Sequence, residues 1–584
     1  MTALWGVAVY CFFAFKYPYH IHFQEQYQLF EFTWDYFLSI SSVPGGLSDY
    51  LGRFLTQFFY YAPLGSVLMA LLLGVVQLLS FCIVCKDRRS LPAYALSFLP
   101  SIALALFYCD ENALGGAAVA IALALGAAAL SFLGRKRFVL ELVLVPIVYL
   151  ICGPIALVYV LAVAIREGRK GLPWTCGMLL LLAISPYIAS LLVPYPLGRL
   201  YTGVHYYRYH NIVPGLLWIS AALSLVPALL SGVKLKKNLI PGICTYVLLA
   251  GLGCFLVLRS ADNVKEEWMK YDFMVRMQMW NRIMYSADHR NPDNPKTVSC
   301  LNLALSKANR MADSQFEYYQ NGPEGLIPEF RGDYTNPIAT GEIFWHLGMV
   351  NTAQRYAFET QEAIPDFQKS ARCYKRLAET NIVNGDWAVA RKYLKALQNT
   401  LYYRKWADET LSLMDGNSIF EKREDLRSAR DRRLREHSFL FSDTEMDSML
   451  GLLKVEHPEN RMALDYLMAW CLLRKDLDRF VQCIPLIDAP SMPKAYQEAL
   501  LLRWVLTHSD FEGLPSYISP VHARRISSFI SDFQANKSSE YMQKNYGDTY
   551  WFYYYFRYRS LNDLARDNEK NASDTYGRPY SGGL

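Results

Sequence analysis

The chain has 584 residues, 52% of them hydrophobic and 19% charged, with a formal net charge of +6. That length exceeds what one core organises, and the apolar residues are spread so unevenly that two regions are expected. The small positive excess is covered by basic residues between apolar runs, so nucleic acid is excluded as a partner and membrane lipid is expected.

Up to about residue 259, runs such as 62–85 and 113–134 carry almost no charge. At about 1.5 Å per helical residue they suit a hydrocarbon core of about 30 Å. Nine crossings are expected, at 2–17, 62–85, 91–108, 113–134, 138–152, 154–165, 173–194, 212–232 and 239–258. Alternate loops hold twelve basic residues: Lys86, Arg88, Arg89; Arg135, Lys136, Arg137; Arg166, Arg169, Lys170; and Lys234, Lys236, Lys237. The other side holds four: Lys16, Arg53, Arg199 and Arg208. Positive residues stay in the cytoplasm, so the stretch after the first crossing, the 195–211 loop and everything after Arg259 are expected outside. This alternation requires a helical hairpin broken at Gly153-Pro154, with a cavity on its outer side to satisfy the freed backbone. Glu141, the one acid inside these segments, is expected to pair with Arg137 four residues earlier. The first segment shows no positive n-region and no small-residue cleavage site.

Phe23 to Tyr61 is too polar to cross a bilayer. Phe23, Tyr27, Phe30, Trp34 and Phe37 recur at helical spacing, while Gln24, Gln28, Glu31 and Asp35 fall on another face, which predicts a helix lying in the membrane surface. After Pro44-Gly45-Gly46, Ser48 and Asp49 are expected to N-cap a second interfacial helix, with Leu51, Phe54, Leu55 and Phe58 on its apolar side. Glu25, Glu31, Asp35 and Asp49 then stand just outside the hydrocarbon. The Tyr195–Asn211 loop brings Arg199, His205, Arg208 and His210, interleaved with tyrosines, to the same side. Such groups suit a phosphorylated lipid headgroup and equally suit an ordinary aromatic belt.

Of twelve cysteines, eight lie in or beside apolar segments. Cys82-x-x-Cys85 has redox spacing but ends a crossing, where packing is the expected role. Cys300, Cys373, Cys471 and Cys483 sit in helical apolar patterns with no zinc-like spacing, so no metal or cofactor is expected.

Beyond Ser260 no run of about 18 apolar residues occurs, and a water-soluble region is expected. Trp268, Tyr271, Val275, Met279 and Ile283 predict one helix over 264–284, followed by a hinge at 289–295. Gly348-x4-Ala353-x2-Tyr356 recurs 37 residues later as Gly385-x4-Ala390-x2-Tyr393, each glycine closing a helix and each Ala and Tyr packing the next. The aromatic segment YWFYYYFRYRSL and a polar tail end the chain. The expected class is all-α: a polytopic helical membrane domain over 1–259 with interfacial helices at 23–60, a connecting helix and hinge over 260–295, an α-solenoid over 296–560, and a tail over 561–584.

Leu347-Gly348, Ala353, Tyr356 and Pro365 resemble tetratricopeptide repeats. That likeness implies stacked helix pairs offering a concave face to a periplasmic protein or peptide. The segments EQYQLF (25–30), NLALSKANRMADSQFEYYQNGPEGL (302–326) and HLGMVNTAQRYAFE (346–359) resemble a Bacteroidota family of inner-membrane proteins of unknown activity. The arrangement of one crossing, an acidic outer loop, many crossings and a repeat tail is also similar in architecture to GT-C type glycosyltransferases. That resemblance implies transfer of a sugar from a polyprenyl-phosphate donor, with Glu25, Glu31, Asp35 or Asp49 as base and Arg199, His205, Arg208 or His210 binding the phosphate. These acids include no adjacent Asp-Glu pair, although Asp110-Glu111 occupies the next outer loop. A non-catalytic, membrane-anchored scaffold for periplasmic partners is the alternative, since the sequence has no P-loop, Rossmann fingerprint, HExxH or nucleophile elbow.

Overall fold

The computed structural model describes all residues except 85–88, 133–137, 210, 231–238, 331–335, 366–367, 435–444, 488–490, 509–510 and 559–584. Cys85, His210, the tail and the basic clusters at 86–88, 135–137 and 234–237 therefore lie outside the described residues. Among the described residues the chain is all-helical, with one isolated bridge between Ala113 and Tyr207. It divides into two compact units: Met1–Met269 with Gln361–Ala378 and Ala388–Asn417, and Lys270–Thr360 with Glu379–Trp387 and Ser418–Leu584.

The first unit opens with α1 (Thr2–Cys11), α2 (Pro18–Gln26), α3 (Trp34–Ser41) and α4 (Gly46–Thr56). Then come α5 (Ala62–Cys82), α6 (Leu91–Leu96), α7 (Leu99–Phe107), α8 (Gly116–Ser131), α9 (Phe138–Cys152), α10 (Ala156–Glu167), α11 (Leu172–Ser190), α12 (Leu197–Thr202), α13 (Gly215–Leu223), α14 (Val226–Leu230) and α15 (Leu239–Ser260). Among the described residues four stretches are long and apolar enough to cross a membrane: Ala62–Cys82, Phe138–Glu167, Leu172–Ser190 and Gly242–Ser260. Thr2–Lys16, Leu91–Phe107, Gly116–Ser131 and Gly215–Leu230 are apolar but shorter.

By length Phe138–Glu167 is one 30-residue stretch, yet it folds back on itself. The Tyr159 hydroxyl donates to Glu141 O at 3.2 Å across 18 residues, a separation of about 27 Å along a straight helix. Gly153 turns the chain at φ +59°. The carbonyls freed at the turn find protein donors: Gly45 N–H reaches Leu150 O at 2.9 Å, and the Tyr206 hydroxyl donates to Cys152 O. Irregular backbone at an apolar tip is tolerated because these groups satisfy it.

The expected helix from Phe23 to Phe37 is two helices with an extended link. α2 ends at Gln26, Tyr27–Phe32 is irregular, and α3 begins after Thr33, whose Oγ1 accepts from Tyr36 N at 3.2 Å. Glu31 and Asp35 therefore do not share a helix face. The link is held open by distant donors and acceptors: Ala371 N–H to Gln28 O (3.2 Å), Phe32 N–H to Asn399 O (2.7 Å) and the Ser370 hydroxyl to Gln26 O (2.6 Å). Helix α3 has no buried residue and leaves Trp34 70% exposed.

Helix α4 is N-capped by Gly45, at φ +82°, and not by Ser48 or Asp49, which lie inside its first turns. It crosses the start of α8 with backbone against backbone. A Cβ at Gly52 would fall 2.1 Å from Gly116 N, and one at Gly116 would fall 2.9 Å from Asp49 Cα. Small residues allow such an approach where apolar helices gain little from hydrophobic association.

The second unit holds most of the remaining helices, while Arg404–Asp415 and nearly all of Trp387–Gln398 belong to the first. The predicted helix over 264–284 breaks after Arg276 and restarts at Trp280, with Gln278 at φ +52°. Asn294 Oδ1 then caps the helix opening at Pro295 by accepting from Lys296 N at 3.0 Å. Gly348 and Gly385 close their helices with positive φ (+97° and +86°), and the next amides reach back five residues, Met349 to Phe344 O and Asp386 to Asn381 O. Ala353, Tyr356, Ala390 and Tyr393 are buried on the helices that follow, as the repeat predicts.

The two glycines differ in surroundings. A Cβ at Gly348 would fall 2.5 Å from Arg432 O, whereas Gly385 has nothing within 4 Å. Gly385→Ala is expected to cost about 1 kcal/mol through the left-handed backbone alone, and Gly348→Ala at least about 2 kcal/mol. Thermal unfolding of the two variants compares them directly.

Candidate functional site

Segments that the charge count assigns to one side meet one another in the first unit. Gln24 donates to Asp110 O and Ala113 O at 3.3 and 3.4 Å, Tyr207 donates to Asp110 Oδ2 at 2.7 Å, and Lys265 pairs with Glu111 at 2.7 Å. Asp110 also accepts from Asn112 N at 2.9 Å, so the Asp110-Glu111 pair is engaged in shaping this turn. Glu266 receives Tyr19 N–H and His20 N–H at 2.8 and 3.0 Å and so caps α2 from a distant part of the chain. Burial pushes Glu266 up to about 7 against those two donors, and burial pushes the His20 imidazole down to about 4, leaving it neutral near pH 7.

Asp49 is the centre of an enclosed polar cluster. One turn along α4, Arg53 donates to its Oδ2 from Nη2 at 2.8 Å and from Nε at 2.9 Å, and His205 Nδ1 lies 3.7 Å from the same oxygen. Burial opposes the Arg53 charge, but the adjacent Asp49 carboxylate outweighs it and raises the guanidinium further. Arg208 is buried, donates to Tyr27 O at 3.2 Å and stacks over the Tyr27 ring at 5.4 Å. Gln24, Gln28, Asp49, Arg53, Arg208 and Gln368 line one recess whose free volume, about 10 Å³, is at the lower limit for a single water.

The other expected acids are separate from it. Glu25 is 4% exposed and accepts from the Tyr403 hydroxyl at 3.1 Å, beside a second recess of about 20 Å³ that also touches Gln57, Thr400 and Tyr402. Glu31 pairs with Lys369 at 2.9 Å. Asp35 is exposed in the first turn of α3. Of the expected phosphate binders, His205 and Arg208 join the Asp49 cluster. Arg199 instead donates to Val204 O at 2.7 Å and lies over Tyr195. The sequence reading missed Gln24, Gln28, Gln26, Arg372 and Tyr403 as partners, and it missed Arg53 as the partner of Asp49. Only the Asp49/Arg53 spacing of four carried a local signal.

A far larger opening, about 610 Å³, is an open groove beside Phe32, Gln398, Asn399, Leu401, Arg404 and Asp408. Among the described residues no group of three or more His, Cys, Asp or Glu could hold a metal ion. Chemically, the enclosed cluster is suited to fixing backbone segments, and the open groove is suited to receiving a chain.

A model of a protein family of unknown function matches residues 1–557. No curated protein and no solved structure matches the chain.

Proposed function

The chain belongs to that family of unknown function, DUF6057, and from its own geometry we propose that it is a non-catalytic, membrane-anchored scaffold that presents helical segments to protein partners outside the bacterial inner membrane. In this reading the nine apolar segments cross the membrane, the residues beyond Arg259 are periplasmic and the tetratricopeptide-like pairs build a partner surface. The observation that carries it is how the outer-loop acids are used. Glu25 holds Tyr403 and Glu31 holds Lys369, next to Arg372 donating to Gln26 Oε1 at 2.8 Å. These bonds latch the first loop to 361–378 and 388–417, and the second of these segments, with Phe32 of the loop, lines the 610 Å³ groove. A peptide segment from a periplasmic protein fits a groove of that size, with Arg404 and Asp408 offering charges of both signs.

A GT-C-like transferase using a polyprenyl-phosphate-linked sugar is the second reading, favoured by one observation: an acid, an imidazole and two guanidinium groups converge around Asp49. Purified full chain incubated with such a donor separates the two. The scaffold predicts no transfer, altered thermal stability in Glu25→Gln and Asp49→Asn, and discrete protein adducts in cells from a photo-crosslinking residue at Arg404. Sugar transfer that falls about 10²- to 10⁴-fold in one of those amide variants, with folding intact and no adducts, overturns it.

A further inference from the structure

Helix α3 buries none of its residues, and its exposed side is divided in two. Trp34 and Leu38, one turn apart, leave 70% and 46% of their surfaces uncovered, whereas Asp35, Ser39 and Ser42 form an exposed polar edge at the same spacing. Tyr36 and Phe37 turn inward, with rings 6.2 and 5.0 Å from that of Tyr50 on α4. Of the aromatic series expected to meet lipid, Phe23, Tyr27 and Phe30 are buried in the first unit, so the uncovered side of α3 is a surface of its own.

Two apolar helices fix its level. Gly45 N–H bonds Leu150 O at 2.9 Å, which seats the turn after α3 on the tip of the α9–α10 hairpin, and α4 runs on through Gln57–Tyr60 into α5. On α9 an exposed apolar stripe of Leu140, Val143, Ile147 and Leu150 ends at that tip, and on α5 a stripe from Leu64 to Leu78 begins just past Tyr61. Both helices belong to stretches apolar enough to cross a membrane, so these stripes face acyl chains. In sequence α9 follows the basic residues Arg135, Lys136 and Arg137, and its 15 residues reach about 22 Å into a core of about 30 Å. The α3–α4 turn at its tip therefore lies level with the outer leaflet.

From this placement we infer that the Trp34–Leu38 side of α3 is a lipid-contact surface, lying among the headgroups and upper acyl chains of the outer leaflet with Asp35 and Ser39 turned to water. The inference rests on the proposed membrane anchoring, since the bilayer against α5 and α9 is what continues onto α3. An indole suits that level, because its ring is apolar and its N–H finds acceptors among headgroups. The division into an apolar and a polar side is the pattern of a helix lying in an interface. Two uncovered apolar side chains on an eight-residue helix offer far less area than a stable protein–protein interface buries, whereas lipid already covers the adjoining stripes.

The experiment places a diazirine amino acid at Trp34, Leu38, Asp35, Ser39 or Leu71 of the full chain, reconstitutes it in vesicles of phosphatidylethanolamine and phosphatidylglycerol, and identifies the photoproducts by mass spectrometry. Because α3 buries none of its residues, its four variants are expected to keep the wild-type melting temperature. Lipid adducts are expected at Trp34, Leu38 and the mid-helix control Leu71, and water addition at Asp35 and Ser39. Lipid at Leu71 with water or protein adducts at Trp34 and Leu38 overturns the inference alone. No lipid at Leu71 overturns the membrane anchoring and the inference together. Equal lipid labelling at all four α3 positions overturns the orientation assigned to the helix.

Discussion

Gly52→Ala is expected to abolish accumulation of folded protein, with a cost above about 4 kcal/mol. A Cβ there would lie 2.1 Å from Gly116 N, 2.5 Å from Gly115 C and 2.6 Å from Gly116 Cα. All three neighbours are backbone, so no rotamer change relieves the clash, and the two helices must separate along their length. Separation also disturbs Gly115, which fits against Gly52 O, and Asp49, which fits against Gly116. Gly126→Ala, in the opposing helix α8, is the control, because nothing lies within 4 Å of its Cβ position and alanine favours the helix. Size-exclusion profiles in detergent should show Gly126→Ala as wild type and Gly52→Ala as aggregated or absent. A normal profile and melting temperature for Gly52→Ala would mean that α4 and α8 do not cross here.

Asp49→Asn is expected to destabilise by about 3–5 kcal/mol, because it strands the mostly buried Arg53 guanidinium without its charge partner. The reverse deletion, Arg53→Met, takes the guanidinium away from the buried Asp49 carboxylate and is expected to lower the melting temperature as well. Replacing both together, Asp49→Leu with Arg53→Met, should be near neutral, because it removes the cost of burying either charge. Wild-type melting temperatures in both single variants would show that the pair is not the clamp.

The apolar runs and helix-closing glycines were legible in the sequence because they depend on local chemistry. Gly153-Pro154 shows as a break in any reading, and the 37-residue recurrence shows both Gly348 and Gly385. The extended link at Tyr27–Phe32 was not legible. Its aromatics fall at helical spacing, and what overrides that preference is a set of backbone bonds from Ser370, Ala371 and Asn399, more than 300 residues away. The same limit governs the site: residue type identified Asp49, His205 and Arg208, but their convergence, and the diversion of Glu25 and Glu31 to Tyr403 and Lys369, are products of tertiary packing.

That long-range latch constrains how the protein is made. Glu25 and Tyr403 are 378 residues apart, so at synthesis rates of about 5–20 residues per second the first loop is synthesised about 20–75 s before its partner exists. Throughout that interval the peptide groups of Gln28 and Phe32 lack their final partners, Ala371 and Asn399. Nascent chains ending before residue 371 therefore carry an unfinished amino-terminal loop, the kind of intermediate that quality-control proteases and holding chaperones recognise. Assembly is completed from the carboxy-terminal direction, and a premature stop within 371–403 damages a part of the molecule that was translated first.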